Sequence, residues 1–450
     1  MNDGSMNRKQ GRDDGHRRRP MTCPRLPLAL AALLASGAAS AKPPELDLYV
    51  HPAPATSRIS VVAKLRGLAC TGATTRLWLN RGLTVERASV DGRTVSPVLD
   101  PPGAGRIFIS AARAIDLPCP RKTLELRYSG PGLLHPDGRN QVSPDYIELS
   151  YYGAWYPLTA DEKRRAWRLH TRLPSGWTYV SNGRVAGTPA RLVIESSDPA
   201  EVVLVGSPRF IAGPDRDGTR VLISDSASAA AQATAFALGR EATAMANWLT
   251  KLLGPSGAQS NPELVFAPRT GPLSYARLPV IVTPQASLDA PGDRSLALNI
   301  RHEVAHFWSR AVGADNDWLN EGIAEYLALV RTRDSEGEAV QSALLERYRR
   351  EVAAAGQGVP IAETAADERR GFVNRYQRVP LLLDAAERIA GRSAMEKLLR
   401  RAFALGPDLS TGSFETLAVQ ELGGGAAALI ARCLRSRNWP IECGGHSGPS

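Results

Sequence analysis

His302-Glu303-Val304-Ala305-His306, followed by Trp318-Leu319-Asn320-Glu321-Gly322-Ile323-Ala324-Glu325-Tyr326, is the stretch on which the reading of this chain turns. At 3.6 residues per turn, His302 and His306 stand one above the other on a single helix face. Their ring nitrogens can therefore converge on one divalent cation. Glu303 is rotated by roughly 100°, which lets it reach a water on that cation without binding the ion itself. Two ligands and a general base on one helical turn are what a hydrolytic zinc site needs. With seven His in 450 residues, a chance match is on the order of one in a hundred. The bland alternative is a helix carrying two surface histidines.

A catalytic zinc ion usually takes three protein ligands and keeps one position open for water. The second stretch supplies the third ligand. A polar turn at Asp315, Asn316 and Asp317 joins the two segments, and helices with a short connection lie antiparallel. Glu321 then returns towards His302 and His306. Glu325 lies one turn further along the same face, as an alternative ligand, a supporting carboxylate or a solvated charge.

The surrounding chain divides by composition. Residues 1–41 read as a secretory signal with an N-terminal extension: Arg17, Arg18, Arg19 and Arg25 precede an apolar run from Leu26 to Leu34, then small residues ending Ala39-Ser40-Ala41. That run is too short to span a bilayer comfortably, and no later stretch suggests an integral membrane span. The expected location is exported, periplasmic or secreted. Seven Lys+Arg and three Asp+Glu leave with the signal, so the net charge falls from +10 to +6. That excess is spread out and not interleaved with aromatics, which argues against nucleic acid as a partner. Cys23 also leaves. Four cysteines remain, an even number in an exported chain, which favours disulfides. Cys70–Cys119 and Cys433–Cys443 are the expected pairs because each would lie within one domain.

The expected fold class is α+β and multidomain, with an all-β sandwich-like domain over residues 42–212 and a mainly helical domain carrying the hydrolytic zinc site over residues 213–450. Arg58–Ala63, Thr75–Leu79 and Thr123–Tyr128 read as strands, punctuated by Asp91-Gly92, Pro101-Pro102-Gly103 and Asn182-Gly183. Helices are expected near Ala229–Leu253, Ser295–Val312, Leu319–Thr332, Gly337–Ala354, Val379–Ala390, Ala394–Ala404 and Phe414–Leu422. A strand is expected at Leu278–Val282, with Pro279 at its start or on an edge.

A His-Glu-x-x-His helix followed by Trp-Leu-Asn-Glu-Gly resembles the signature of the aminopeptidase N and leukotriene hydrolase family of gluzincins. The resemblance implies a thermolysin-like catalytic domain, one Zn2+ ion, a peptide substrate and Glu321 as the third ligand. Fourteen residues separate His306 from Glu321, fewer than the family normally has, and the family's spacing would select Glu325. Tyr376-Gln377-Arg378-Val379 resembles the family's Tyr-x-Lys-Gly segment, which implies that Tyr376 donates a hydrogen bond to the tetrahedral intermediate. Trp155-Tyr156-Pro157, Ser181-Asn182-Gly183, Ile281–Pro284 and Gly292–Leu296 resemble further landmarks. The glycyl aminopeptidases share a similar helix and are a second family to consider.

One departure concerns substrate recognition. Family aminopeptidases hold the substrate's α-amine with the Glu of a Gly-x-Met-Glu-Asn loop. Here the corresponding stretch is Gly271-Pro272-Leu273-Ser274-Tyr275-Ala276-Arg277, which has no acidic residue. An ungapped count places Tyr275 at the Glu position, and Arg277 would repel an ammonium group. The expected function is an exported zinc metallopeptidase, aminopeptidase-like, with Glu303 as general base. An endopeptidase, a hydrolase of non-peptide substrates, and an inactive peptidase-like binding protein stay open beside it, as does the oligomeric state.

Overall fold

Alternating apolar residues build the first half of the chain. In the strand Arg58–Arg66, Ile59, Val61, Ala63 and Leu65 are buried while the residues between them face outwards. Burying each of the larger side chains is worth about 1.5–3 kcal/mol. This strand pairs antiparallel with Leu46–Ala53 on one side and Thr123–Pro131 on the other. These three strands are at the centre of an eight-stranded sheet. A four-stranded sheet containing Thr74–Asn80 and Ala112–Pro118 shares the same apolar core, so the sandwich-like expectation holds. One pairing departs from the antiparallel rule: Leu46–Ala53 runs parallel to Arg165–Thr171.

The computed structural model describes residues 45–444 except 69, 71, 100–111, 132–137, 160–164, 214–217, 257–260, 290–293, 310, 312–315, 365–370 and 440. The expected signal segment, Pro101-Pro102-Gly103, Gly292-Asp293 and Asp315 lie outside the described residues. Asp91-Gly92 forms the expected tight turn, with φ of 49° and 84°. The Asp91 carboxylate accepts hydrogen bonds from the backbone of Arg121, Lys122 and Thr123, which registers the next strand. Both expected disulfides, Cys70–Cys119 and Cys433–Cys443, are formed.

The second half begins with a five-stranded sheet ordered Phe210–Ala212, Arg220–Ser224, Glu263–Ala267, Val280–Pro284, Tyr275–Arg277. Tyr146, Val180, Val203 and Val205 pack with Leu222, Val265, Val280 and Val282, joining this sheet to the β-rich half. Helix α1, Ala229–Leu253, covers the sheet with Ala231, Ala235, Leu238, Ala242, Met245 and Leu249 buried at helical spacing. Ser228 caps its start by accepting from the Ala231 N–H at 3.1 Å. Then follow α2, Arg294–Ala305, α3, Asp317–Glu336, and α4, Glu338–Ala355. Helices at Val379–Ala390, Arg392–Ala404, Thr411–Leu422 and Gly424–Arg435 complete the described part. The whole described body lies within one compact unit, Pro44–Ser450. No helix among the described residues is long and apolar enough to cross a membrane.

Two boundaries differ from expectation, and one helix was not expected. The helix expected over Ser295–Val312 ends at Ala305. Phe307 and Trp308 close tight turns onto Val304 and Ala305, and Trp308 Nε1 donates to the Gly254 carbonyl at 2.8 Å, drawing the chain off the helix axis. A further helix, Gly424–Arg435, lies beyond the last one expected, with Leu429, Ile430, Cys433 and Leu434 buried along one face. The strand expected from Leu278 starts at Val280, after Pro279.

Candidate metal centre

Helices α2 and α3 pack against each other, and their facing sides carry the metal-binding types. The ligand atoms of His302, His306 and Glu321 all lie within 4.8 Å of one another. His306 Nε2 is 3.0 Å from His302 Nε2, and Glu321 Oε2 is 3.2 Å from His302 Nε2 and 3.5 Å from His306 Nε2. Donors held about 2.05 Å from a tetrahedral zinc ion stand about 3.3 Å apart. The three separations are those of one face of that tetrahedron, so the donor set fits zinc in both chemistry and size.

Glu325, the alternative third ligand, faces elsewhere. Its Oε2 is 2.8 Å from His302 Nδ1, the ring nitrogen opposite the ligand triangle, and its other oxygen accepts from the Tyr348 hydroxyl. A carboxylate in that position fixes the imidazole tautomer and strengthens the metal-facing nitrogen as a donor. Burial opposes charge on His302, but hydrogen bonds to Glu321 and Glu325 raise its pKa well above the usual imidazole value. Burial likewise works against the Glu321 carboxylate, yet the His306 charge and the hydrogen bonds from both rings hold its pKa well below the ordinary range. The cluster thus favours a positive charge at its centre.

Each residue around Glu321 has a visible task. Trp318 is buried edge-on to Phe414 and donates to Thr411 Oγ1 at 2.9 Å, anchoring the start of α3. Asn320 donates to the Ala311 carbonyl at 3.0 Å and accepts from Ser309, tying down the chain that leaves α2. Gly322 has no room for a Cβ, which would collide with Val379. That close approach brings α3 against the segment bearing Tyr376.

Glu303 is 6% exposed. Burial raises its pKa, opposed by the charges of His306, His302 and Arg277. Tyr376 donates to Glu321 Oε2 at 2.7 Å, and its ring centroid lies 5.5 Å from that of His302. The structure therefore brings all five sequence-selected residues together: His302, Glu303, His306, Glu321 and Tyr376. Tyr376 rides on a π-helical turn, Asn374–Arg378, which the sequence reading missed. Asn374 donates to the Val359 carbonyl and Thr364 Oγ1, and Arg375 pairs with Asp317 at 3.2 Å. Asp317 is itself pushed up to about 7 by burial and the nearby Glu321 charge. The signal available in the sequence was the polar run Asn374-Arg375-Tyr376-Gln377-Arg378; the structure buries Asn374, Arg375, Gln377 and Arg378.

Beside α2 runs the edge strand Tyr275–Arg277. Asn299, one turn before Glu303, donates to Ser274 Oγ at 2.9 Å, and Ser274 bonds Thr283 in the neighbouring strand. Tyr275 is buried rather than lining open space. Two carboxylates from the β-rich half stand near this strand, which the local reading of residues 271–277 could not find. Glu148 is fully buried, 3.2 Å from Arg269 and accepting from Tyr146 at 2.7 Å. Glu201 forms an ion pair with Arg277.

The fold is similar to that of solved M1 zinc metallopeptidases and leukotriene A4 hydrolases. An M1 zinc metallopeptidase from Deinococcus radiodurans superposes with a TM-score of 0.68 at 18% identity, covering 88% of this chain and 93% of that one. A mutant of the same enzyme bound to a Tyr-Ser-Ala substrate matches with a TM-score of 0.66 at 19% identity, over 88% and 94% of the two chains. Yeast LTA4 hydrolase matches with a TM-score of 0.67 at 14% identity, over 87% of this chain and 67% of that one. No sequence-family model and no curated protein sequence matches the chain.

Proposed function

We propose that this chain is a zinc-dependent peptide hydrolase, with His302, His306 and Glu321 as the ligands of one Zn2+ ion. The tetrahedral spacing of the three donors, with a buried carboxylate one residue along the same helix, carries this reading. Bound zinc lowers the pKa of a water molecule and polarises the scissile carbonyl. Glu303 would take the proton from the attacking water and deliver it to the leaving amine. The Tyr376 hydroxyl, already a donor towards the ligand triangle, turns to the oxyanion that develops on the carbonyl oxygen. Glu325 and Tyr348 hold the His302 ring in its metal-facing orientation.

The similarity to metallopeptidases, one of them bound to a tripeptide, supports a peptide substrate and an aminopeptidase-like architecture. Arg277 on the strand beside the zinc helix favours a second reading, cleavage without recognition of a free amine. Two disulfides fit an oxidising compartment, in keeping with the export signal read over residues 1–41. The β-rich part spans residues 42–212 and the catalytic part residues 213–450 in this reading. The test is a metal assay of the purified protein together with a peptide digest of the wild type and Glu303→Gln. One zinc per chain with hydrolysis confined to the wild type is expected, and zinc-loaded protein with equal turnover in both would overturn the mechanism.

A further inference from the structure

The direction in which Glu303 points is set by the roll of α2 about its axis, and side chains on two faces restrain that roll. Arg301 anchors one face. It donates to Glu241 of α1 at 2.8 Å, and to Thr332 and Glu336 of α3 at 2.6 Å each. Asn299 lies about 200° round the helix from Arg301, in the stripe that carries Glu303 and His306 four and seven residues on. Its Nδ2 donates to Ser274 Oγ at 2.9 Å, and Ser274 bonds Thr283 Oγ1 at 2.8 Å in the neighbouring strand Val280–Pro284. Thr283 is fully buried, so this bond ends in the sheet itself.

Ser274 meets Asn299 because the chain ahead of it is wrapped round Arg269. This arginine follows the strand Glu263–Ala267, and its side chain is 1% exposed. Nη1 donates to the Gly271 carbonyl at 2.8 Å and Nη2 to the Leu273 carbonyl, the group directly before Ser274. Nε stands 3.2 Å from Glu148 Oε2, brought by the strand Ile147–Leu149 of the β-rich half. Tyr146 donates to the same oxygen at 2.7 Å. One planar fork therefore spans two carbonyls and a carboxylate, which the single ammonium of a lysine could not do. The contacts run unbroken from Glu148 through Arg269 and the loop to Ser274, Asn299 and α2.

We propose that Arg269 is a positioning residue for the general base, acting through Ser274 and Asn299. Aimed by Glu148, it shapes residues 270–273 so that the Ser274 hydroxyl meets Asn299 and fixes the face of α2 that bears Glu303. A helix with its side chains has a radius of about 5–6 Å, so a roll of about 10° carries a side-chain tip about 1 Å. A shift of about 1 Å at the reacting groups can cost on the order of a hundredfold in rate. The inference rests on the zinc-peptidase reading and adds to it residues from outside the metal-binding helices.

Ser274→Ala, Asn299→Ala, the two together, and Arg269→Lys alone and with Ser274→Ala are compared at saturating zinc. Each single change should lower kcat about tenfold or more with KM held within about threefold. The Ser274 and Asn299 losses should not multiply, and Arg269→Lys should cost nothing further in the Ser274→Ala background. Ser274→Thr, which keeps the hydroxyl, should retain most of the activity. Losses that multiply, a change confined to KM, or parental kcat in Ser274→Ala would overturn the proposal. Hydrogen exchange on the metal-free proteins gives a readout apart from turnover. The amides of α2 should lose protection about tenfold in Ser274→Ala and in Asn299→Ala alike, with those of α4 unchanged. Unchanged protection at α2 would overturn the proposal, and this arm decides it should Arg269→Lys fail to fold. Failure of the peptidase reading shows separately, as zinc-loaded wild type that cleaves no peptide while α2 still loses protection in the variants.

Discussion

Replacing Glu325 by Gln separates a ligand from its support. The side chain is 7% exposed, stands 2.8 Å from His302 Nδ1 and accepts from Tyr348. Gln keeps the shape but removes the charge, and it presents an NH2 group to one of two donors. A hydrogen bond to a charged group is worth about 1.5–3 kcal/mol, which corresponds to about tenfold to a hundredfold in zinc affinity. Glu321→Gln should lose much more, because it removes an anionic ligand from the triangle itself. Competition against a chromophoric chelator at fixed pH measures both variants. Equal losses would mean that Glu325 is a ligand, and unchanged affinity in Glu325→Gln would mean that its hydrogen bond to His302 does nothing for the metal.

Glu303→Gln should keep zinc and lose peptide hydrolysis by about 10²–10⁴-fold, read from metal content and kcat on one preparation. Tyr376→Phe should lower kcat by about 10–10³-fold with little change in KM; a change confined to KM would assign the hydroxyl to binding instead. Zinc affinity should fall as pH is lowered, because protons compete for His302 Nε2. Burial works against a charged His302, but hydrogen bonds to Glu321 and Glu325 raise its pKa well above 6.5, so the apparent affinity should begin to fall above that pH, and a dissociation constant unchanged down to pH 6 would contradict this. Gly322→Ala should destabilise the protein by about 1–3 kcal/mol through its clash with Val379, measured by denaturant unfolding.

The residues of the candidate metal centre could be picked out of the sequence because what brings them together is local. Two imidazoles four residues apart share a face by helical geometry alone, and Trp318–Gly322 marked the next helix. The helix spans Ala229–Leu253 and Val379–Ala390 were legible for a similar reason: apolar spacing and flanking breakers fix them from within. What stayed hidden depends on partners far along the chain. Glu201 and Glu148 belong to the β-rich half, so nothing in residues 271–277 announced them. The early end of α2 is set by Trp308 reaching Gly254, a contact that no local window contains. Gly423-Gly424-Gly425 concealed a helix whose buried face, not its first turn, holds it in place.

The wide turn at Asn374–Arg378 has a consequence for how this protein tolerates change. A π turn holds one more residue than the α turn it replaces, so a one-residue deletion there would let the backbone relax into a regular spiral. The local backbone would be more comfortable, but residues upstream would swing by about 100° relative to those downstream, taking the phenol out of line with the histidine pair. This short piece of chain is therefore sensitive to its length even where its side chains are replaceable.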